Sequence, residues 1–297
     1  MNILLATDGS ECSEEAAGFL TRFSFSPKDK IEVVHVVSDI PYEDDYRAQI
    51  RRAIKKVAPK ILSASADILR TVRANITLRE EEGYPDETII DIAAASGSDL
   101  IVMGARGVKG VKLLFLGSST RAVAIKSPTP VLVVKQSFAK KTGAMKVLFA
   151  ADGSDPANSA ARVLSIMPFR NDTEAVLMHV SPPSLPELPE KYLMQINESL
   201  PAGGPEIDPK QLNGAERIVE QARSCLGGKF KNMHVVIRTG DPSAEILHME
   251  KILAPDIIAV GCRGLRGVRG MMGSVSRRIL GHSAASVLIG KAGSKTA

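Results

Sequence analysis

The sequence predicts an α/β protein made of two tandem, open, parallel five-stranded sheets, each with helices on both faces in the Rossmann-like manner. Three observations carry this. The chain repeats itself, each copy alternates short Val- and Ile-rich runs with helical patterns, and 297 residues at roughly 150 per domain leave room for two cores. The repeat is direct: ILLATDGSECSEEAAGFL near the start returns as KVLFAADGSDPANSAARVL from Lys146, which sets Asp8 on Asp152 at an offset of 144. The same offset carries His35-Val36 onto His179-Val180. Further along, GYPDETIIDIA at Gly83 returns as GDPSAEILHME at Gly240, and DLIVMGARG returns as DIIAVGCRG, both at an offset of 157. The halves are expected to span residues 1–138 and 144–297, joined by the polar stretch Gln136 to Ala144.

In the first copy, buried parallel strands are expected at Ile3 to Thr7, Ile31 to Val37, Ile76 to Glu80, Leu100 to Gly104 and Val131 to Val134, because strands covered on both faces read as continuous apolar runs. Helical patterns fill the gaps, so each strand–helix–strand step is a right-handed crossover. Asp155-Pro156 and Asp241-Pro242 each read as an N-cap followed by proline at the first helical position, where the missing N–H costs nothing. The second copy holds 13 extra residues between Ser181 and Asn213. Seven prolines there, Pro182 through Pro209, exclude a continuous helix and imply an irregular surface excursion.

Composition narrows the function. With 44% apolar residues, 24% charged residues and a net charge of +5, the chain is neither disordered nor histone-like. The expectation is a cytoplasmic protein without membrane span or signal peptide, since Asp8 follows only a few apolar residues. Cys12, Cys225 and Cys262 are odd in number and far apart, against a disulfide framework or structural zinc. Nucleic-acid binding is disfavoured, because aromatics are only 4% of the residues.

The residues with chemical potential lie at strand ends, where open parallel sheets bind ligands. The first strand ends in Asp8-Gly9-Ser10. The fourth ends in Gly104-Ala105-Arg106-Gly107, and after nine intervening residues Gly117-Ser118-Ser119-Thr120 opens the last helix. Glycines admit close backbone approach, and a helix start supplies N–H groups and the positive end of its dipole. The pattern is a cradle for an anion, most naturally phosphate. Residues 104–126 and 261–282 hold ten basic residues and no acidic ones, which leaves 28 basic against 33 acidic residues elsewhere, so the whole positive balance sits at the glycine loops. Two plainer readings stand beside this one: Asp8 and Asp152 suit a cap on the following helix or an acceptor of backbone N–H groups at the turn, and the glycines suit close turn packing.

On these residues the chain resembles a tandem member of the universal stress protein family, one family domain per half. Gly104, Gly107, Gly117 and Ser118 satisfy the G-x2-G-x9-G-[S/T] pattern of its ATP-binding members, together with the DGS start, the HV second strand and the PVLVV last strand. The resemblance implies the adenine nucleotide alpha hydrolase-like version of the layer. In the second copy Gly261 and Gly264 precede Gly273-Ser274-Val275 by eight residues, not nine, which shortens the phosphate loop.

By the same resemblance Asp8 and Asp152 would accept a hydrogen bond from the adenine or its surroundings, and the Val36 and Val180 backbones would read its edge. Gly104, Gly107, Gly261 and Gly264 would pass under ribose and phosphates. Gly117, Ser118 and Ser119, with Gly273, Ser274 and Val275, would present N–H groups to the terminal phosphates. At about 1.5–3 kcal/mol for each charge-assisted bond, several of them reach micromolar affinity without catalytic machinery.

The function implied is an ATP-binding regulator of the stress response, with AMP or ADP as alternative ligands and magnesium or manganese on the phosphates. A slow ATP hydrolase and a nucleotide-free interaction module are the competing functions. The halves are expected to pair through their last strands as an internal pseudo-dimer, and two chains to form a homodimer with a regulatory partner. His35 and His179 are expected to point into the layer or toward the neighbouring copy, and not to hold a metal.

Overall fold

The computed structural model describes residues 1–38, 45–106, 116–135, 143–181, 209–263 and 272–292. They fall into two units, Met1–Gly143 with Ile166–Arg170, and Ala144–Ser165 with Asn171–Gly293.

The apolar runs of the first unit form strands β1 (Asn2–Ala6), β2 (Lys30–Ser38), β3 (Asn75–Gly83), β4 (Leu100–Gly104) and β5 (Val131–Val134). All neighbours are parallel, in the order β3-β2-β1-β4-β5. β4 and β5 are buried at every position, as strands with helices on both faces must be, whereas β3, expected at Ile76 to Glu80 as a buried strand, has no buried position because it is the outer strand of the order. Helices α1 (Glu11–Leu20) and α2 (Asp45–Leu69) pack together, as do α3 (Pro85–Ala95) and α4 (Ser118–Lys126). That division follows from right-handed crossovers: the chain moves outward through β1, β2 and β3, then returns to β4 and β5. The strand order therefore reverses between β1 and β4, and a crevice opens above their carboxyl ends.

The second unit repeats the plan with β6 (Lys146–Ala150), β7 (Glu174–Ser181), β8 (Asn232–Thr239), β9 (Ile257–Gly261) and β10 (Ser286–Gly290), parallel in the order β8-β7-β6-β9-β10. Its helices are α5 (Asp155–Ile166), α6 (Pro209–Leu226), α7 (Pro242–Leu253) and α8 (Ser274–His282). One repeated device fixes the start of each first strand. The Asp99 carboxylate accepts the Asn2 N–H at 2.7 Å, and Asp256 accepts the Lys146 N–H at 2.8 Å.

Two further sequence expectations need correction. Asp241 does cap α7, its carboxylate accepting the Ala244 N–H at 2.8 Å ahead of Pro242. Asp155, however, lies inside α5. The capping position belongs to Ser154, whose hydroxyl lies 3.3 Å from the Ala157 N–H, because the left-handed turn at Gly153 (φ +77°) sets the phase of the helix one residue earlier. Pro209, counted among the prolines of the irregular excursion, is the first residue of α6. Proline tolerates that position because its absent N–H would have no intrahelical partner there. Residues 182–208 of the excursion and 136–142 of the linker lie outside the described residues.

Candidate functional site

Each first strand ends in a turn that ties two strand ends together. After β1, Asp8 Oδ1 accepts the Ser10 N–H at 3.1 Å and the Ser10 hydroxyl at 2.5 Å, and Gly9 takes φ +76°. Ser10 Oγ lies 3.4 Å from the carbonyl of Arg106, just beyond β4. The second unit is congruent. Asp152 Oδ1 accepts the Ser154 N–H at 3.0 Å and its hydroxyl at 2.6 Å, and Ser154 Oγ lies 3.2 Å from the Arg263 carbonyl. The aspartates thus hold their own turns, and they also line the cavities above them.

The far end of each glycine loop is pinned as firmly. Gly117 N–H donates to the Ala105 carbonyl at 2.9 Å, and the Thr120 hydroxyl to the Gly104 carbonyl at 2.9 Å. In the second unit Gly273 N–H donates to the Cys262 carbonyl at 2.8 Å, and the Ser276 hydroxyl to the same oxygen at 2.8 Å. The Gly117 and Gly273 N–H groups are therefore engaged by protein, and phosphate donors must come from Ser118 and Ser119, or Ser274 and Val275. Neither α4 nor α8 has a side-chain cap, whereas α1 and α7 are capped by Ser10 and Asp241. An uncapped helix start is an anion site by virtue of its free donors and dipole.

The strand-end glycines serve packing as well as approach. A Cβ on Gly104 would stand 2.4 Å from the Cys12 carbonyl oxygen of α1, and one on Gly261 would stand 2.7 Å from the Ala157 nitrogen of α5. Only glycine lets the first helix of each unit lie this close to its fourth strand.

In the first unit Asp8, Val36, Gly104, Gly117, Ser118 and Ser119 converge on one cavity of about 750 Å³ at the crevice. β2 continues to Ser38 while β1 stops opposite Val34, so Val36 and Val37 form a wall beyond the first strand. Val34, Ile89 and Met103 make the inner end apolar, and Arg106 stands in the wall as well. This volume is within the range of small-molecule sites. In the second unit Asp152, Val180, Gly261, Gly273, Ser274 and Val275 converge on a cavity of about 290 Å³. Gly107 and Gly264 lie outside the described residues. Among the described residues no group of three or more His, Cys, Asp or Glu is placed to hold a metal ion, and no helix is long and apolar enough to cross a membrane.

Three features escaped the sequence reading. His35 Nδ1 lies 2.9 Å from the Thr7 carbonyl, and His179 Nδ1 lies 2.8 Å from that of Ala151. A carbonyl only accepts, so each Nδ1 carries the proton, and each ring fastens the second strand to the end of the first.

The second feature is a chain of buried hydroxyls present in one unit only. Ser65 Oγ of α2 donates to Thr7 Oγ1 at 3.0 Å, Thr7 Oγ1 to Ser13 Oγ at 3.1 Å, and Ser13 Oγ to the Ser10 carbonyl at 2.8 Å. At the matching repeat positions stand Ala151, Ala157 and Ala222, all buried. Comparing the copies position by position is the signal that would have found it. The third feature is Lys291, at the end of β10 and 3% exposed. Burial pushes its ammonium down to about 8, with Cys262 opposing and Arg263 adding to the effect.

Comparison with known proteins agrees along both halves. A family model described as the universal stress protein family matches residues 1–135 and 144–291. A universal stress protein of Thermus aquaticus is 32% identical over 136 residues, which is 45% of this chain and 97% of that protein. One from Methanocaldococcus jannaschii is 28% identical over 152 residues, 45% of this chain and 94% of that protein. Among solved structures, a universal stress protein from Archaeoglobus fulgidus is similar over 98% of both chains at 24% identity, with a TM-score of 0.64, and so shares the fold.

Proposed function

The chain belongs to the universal stress protein family through both of its halves, and from that premise we propose that it is a nucleotide-dependent regulator whose first unit binds ATP. One observation carries the reading: the cavity of about 750 Å³ at the β1/β4 crevice, where six separately motivated residues meet beside a helix start that no side chain caps. The base would lie in the apolar end between Val34, Ile89 and Met103, near Asp8 and the Val36 backbone. The phosphates would face Arg106 and the N–H groups of Ser118 and Ser119. Every one of these groups binds or orients, so occupancy, by ordering the walls of the crevice, would act as the signal to a partner.

Calorimetric titration of ATP into the full chain tests this reading. The wild type is expected to bind, and Gly117→Val, which puts a branched side chain between the two pinned ends of the loop, is expected to lose binding. Equal affinity of the two proteins would refute the assignment. Nucleotide released from the denatured purified protein identifies the natural ligand, and ADP in place of ATP would signal turnover.

A further inference from the structure

We infer that the two units take different nucleotides: a triphosphate in the first and a nucleoside monophosphate in the second. The inference rests on the nucleotide-binding reading above and adds ligand class to it.

The starting observation is size. The second cavity, at about 290 Å³, has less than half the volume of the first, at about 750 Å³. Part of the difference lies beside the end of β2, where Val37, Ser38 and Ile54 line the first cavity, while Ser181, the counterpart of Val37, does not line the second. Val34 and Met103 of the first unit become Met178 and Val260 in the second, so this pair of positions keeps one methionine and one valine and only exchanges strands. Pro85 and Ile89 are matched by Pro242 and Ile246 in kind and place. The apolar lining at these four positions is therefore kept in both.

The cationic end differs as well. Arg106 and Leu116 stand in the wall of the first cavity, while their counterparts Arg263 and Met272 do not line the second. Met272 is buried, and its carbonyl accepts a hydrogen bond from Arg277 Nη2 at 3.0 Å. The second site thus keeps Ser274 and Val275 at an uncapped helix start, enough for one phosphate, and lacks the arginine-lined extension that further phosphates would occupy.

The test uses the full chain and two probes, ATP and AMP. ATP is expected to saturate at one per chain, and AMP added to the ATP-saturated chain is expected to bind at one further site. Two variants assign the sites without threatening the fold, because glutamate is favourable in the first turn of a helix yet repels an anion there. Ser119→Glu should weaken ATP binding about 10- to 100-fold, the loss expected of one charge-assisted bond, and leave AMP at the second site. Val275→Glu should do the reverse.

Two ATP molecules per wild-type chain, or no AMP uptake by the ATP-saturated chain, would overturn this inference and leave the nucleotide-binding reading standing. Binding of neither nucleotide would overturn that reading itself.

Discussion

Asp8 and Gly104 show how one residue serves two ends. The sequence reading left open whether Asp8 caps a turn or faces a ligand, and its carboxylate accepts two bonds from Ser10 while lining the cavity. The sequence offers Gly104 as an opening for ligand or as close turn packing, and its missing Cβ is demanded by the Cys12 carbonyl of α1. Close packing was thus legible, but the helix that imposes it was not, since no local pattern encodes that approach. Gly104 variants will consequently report packing before binding.

Lys291 was equally invisible, because burial is a tertiary property. It makes a pH prediction. In the unfolded chain the amine stays protonated up to its ordinary value near 10.5, whereas in the fold it gives up its proton near 8. Between those values the unfolded state binds more protons, so stability rises with pH; below about 8 the cost of keeping the charge buried is fully present. Relative to Lys291→Met, the wild type should gain stability as pH rises from about 8 towards 10.5, by up to an order of 3 kcal/mol. Urea unfolding across that range measures it, and a difference that stays flat would contradict the burial argument.

At the scale of elements, three of the helix starts lack a side-chain cap. α1, α5 and α7 begin under Ser10, Ser154 and Asp241, whereas α3 begins at Tyr84 with Pro85 in its first turn, and α4 and α8 begin under Gly117 and Gly273, the two that follow the glycine loops. The open ends were legible in the Gly-Ser pairs. The phase of α5 was not, because Asp155-Pro156 imitates a cap and only the Asp152–Gly153 turn decides against it.

The hydroxyl chain joining α2 to the β1–α1 turn was hidden by distance, with Ser65 standing 58 residues from Thr7. Removing Thr7 alone leaves the buried Ser65 hydroxyl without its acceptor, a cost of about 1–3 kcal/mol, whereas removing all three hydroxyls leaves none stranded. The triple variant Thr7→Ala/Ser13→Ala/Ser65→Ala should therefore lose less stability than the sum of the three single variants in urea unfolding. The second unit, with alanines at all three positions, already has that arrangement. Additive losses would mean the hydroxyls act independently.

For the whole molecule, the repeat was the most legible feature. The offset of 144 residues located both first-strand turns, and the offset of 157 located both fourth-strand ends. The inequality of the units was less so. The loop shorter by one residue hinted at it, but the two cavity volumes depend on which side chains turn into the crevice, and both units offer nearly the same set of residue types there.

The central claim is that ATP sits at the β1/β4 crevice of the first unit with its phosphates on the α4 start. Its most direct measurement is ATP affinity in the wild type and in Ser119→Glu, with circular dichroism confirming that both are folded. The account predicts micromolar binding that falls about 10- to 100-fold in the variant. Unchanged affinity in a folded Ser119→Glu protein would place the nucleotide elsewhere or nowhere.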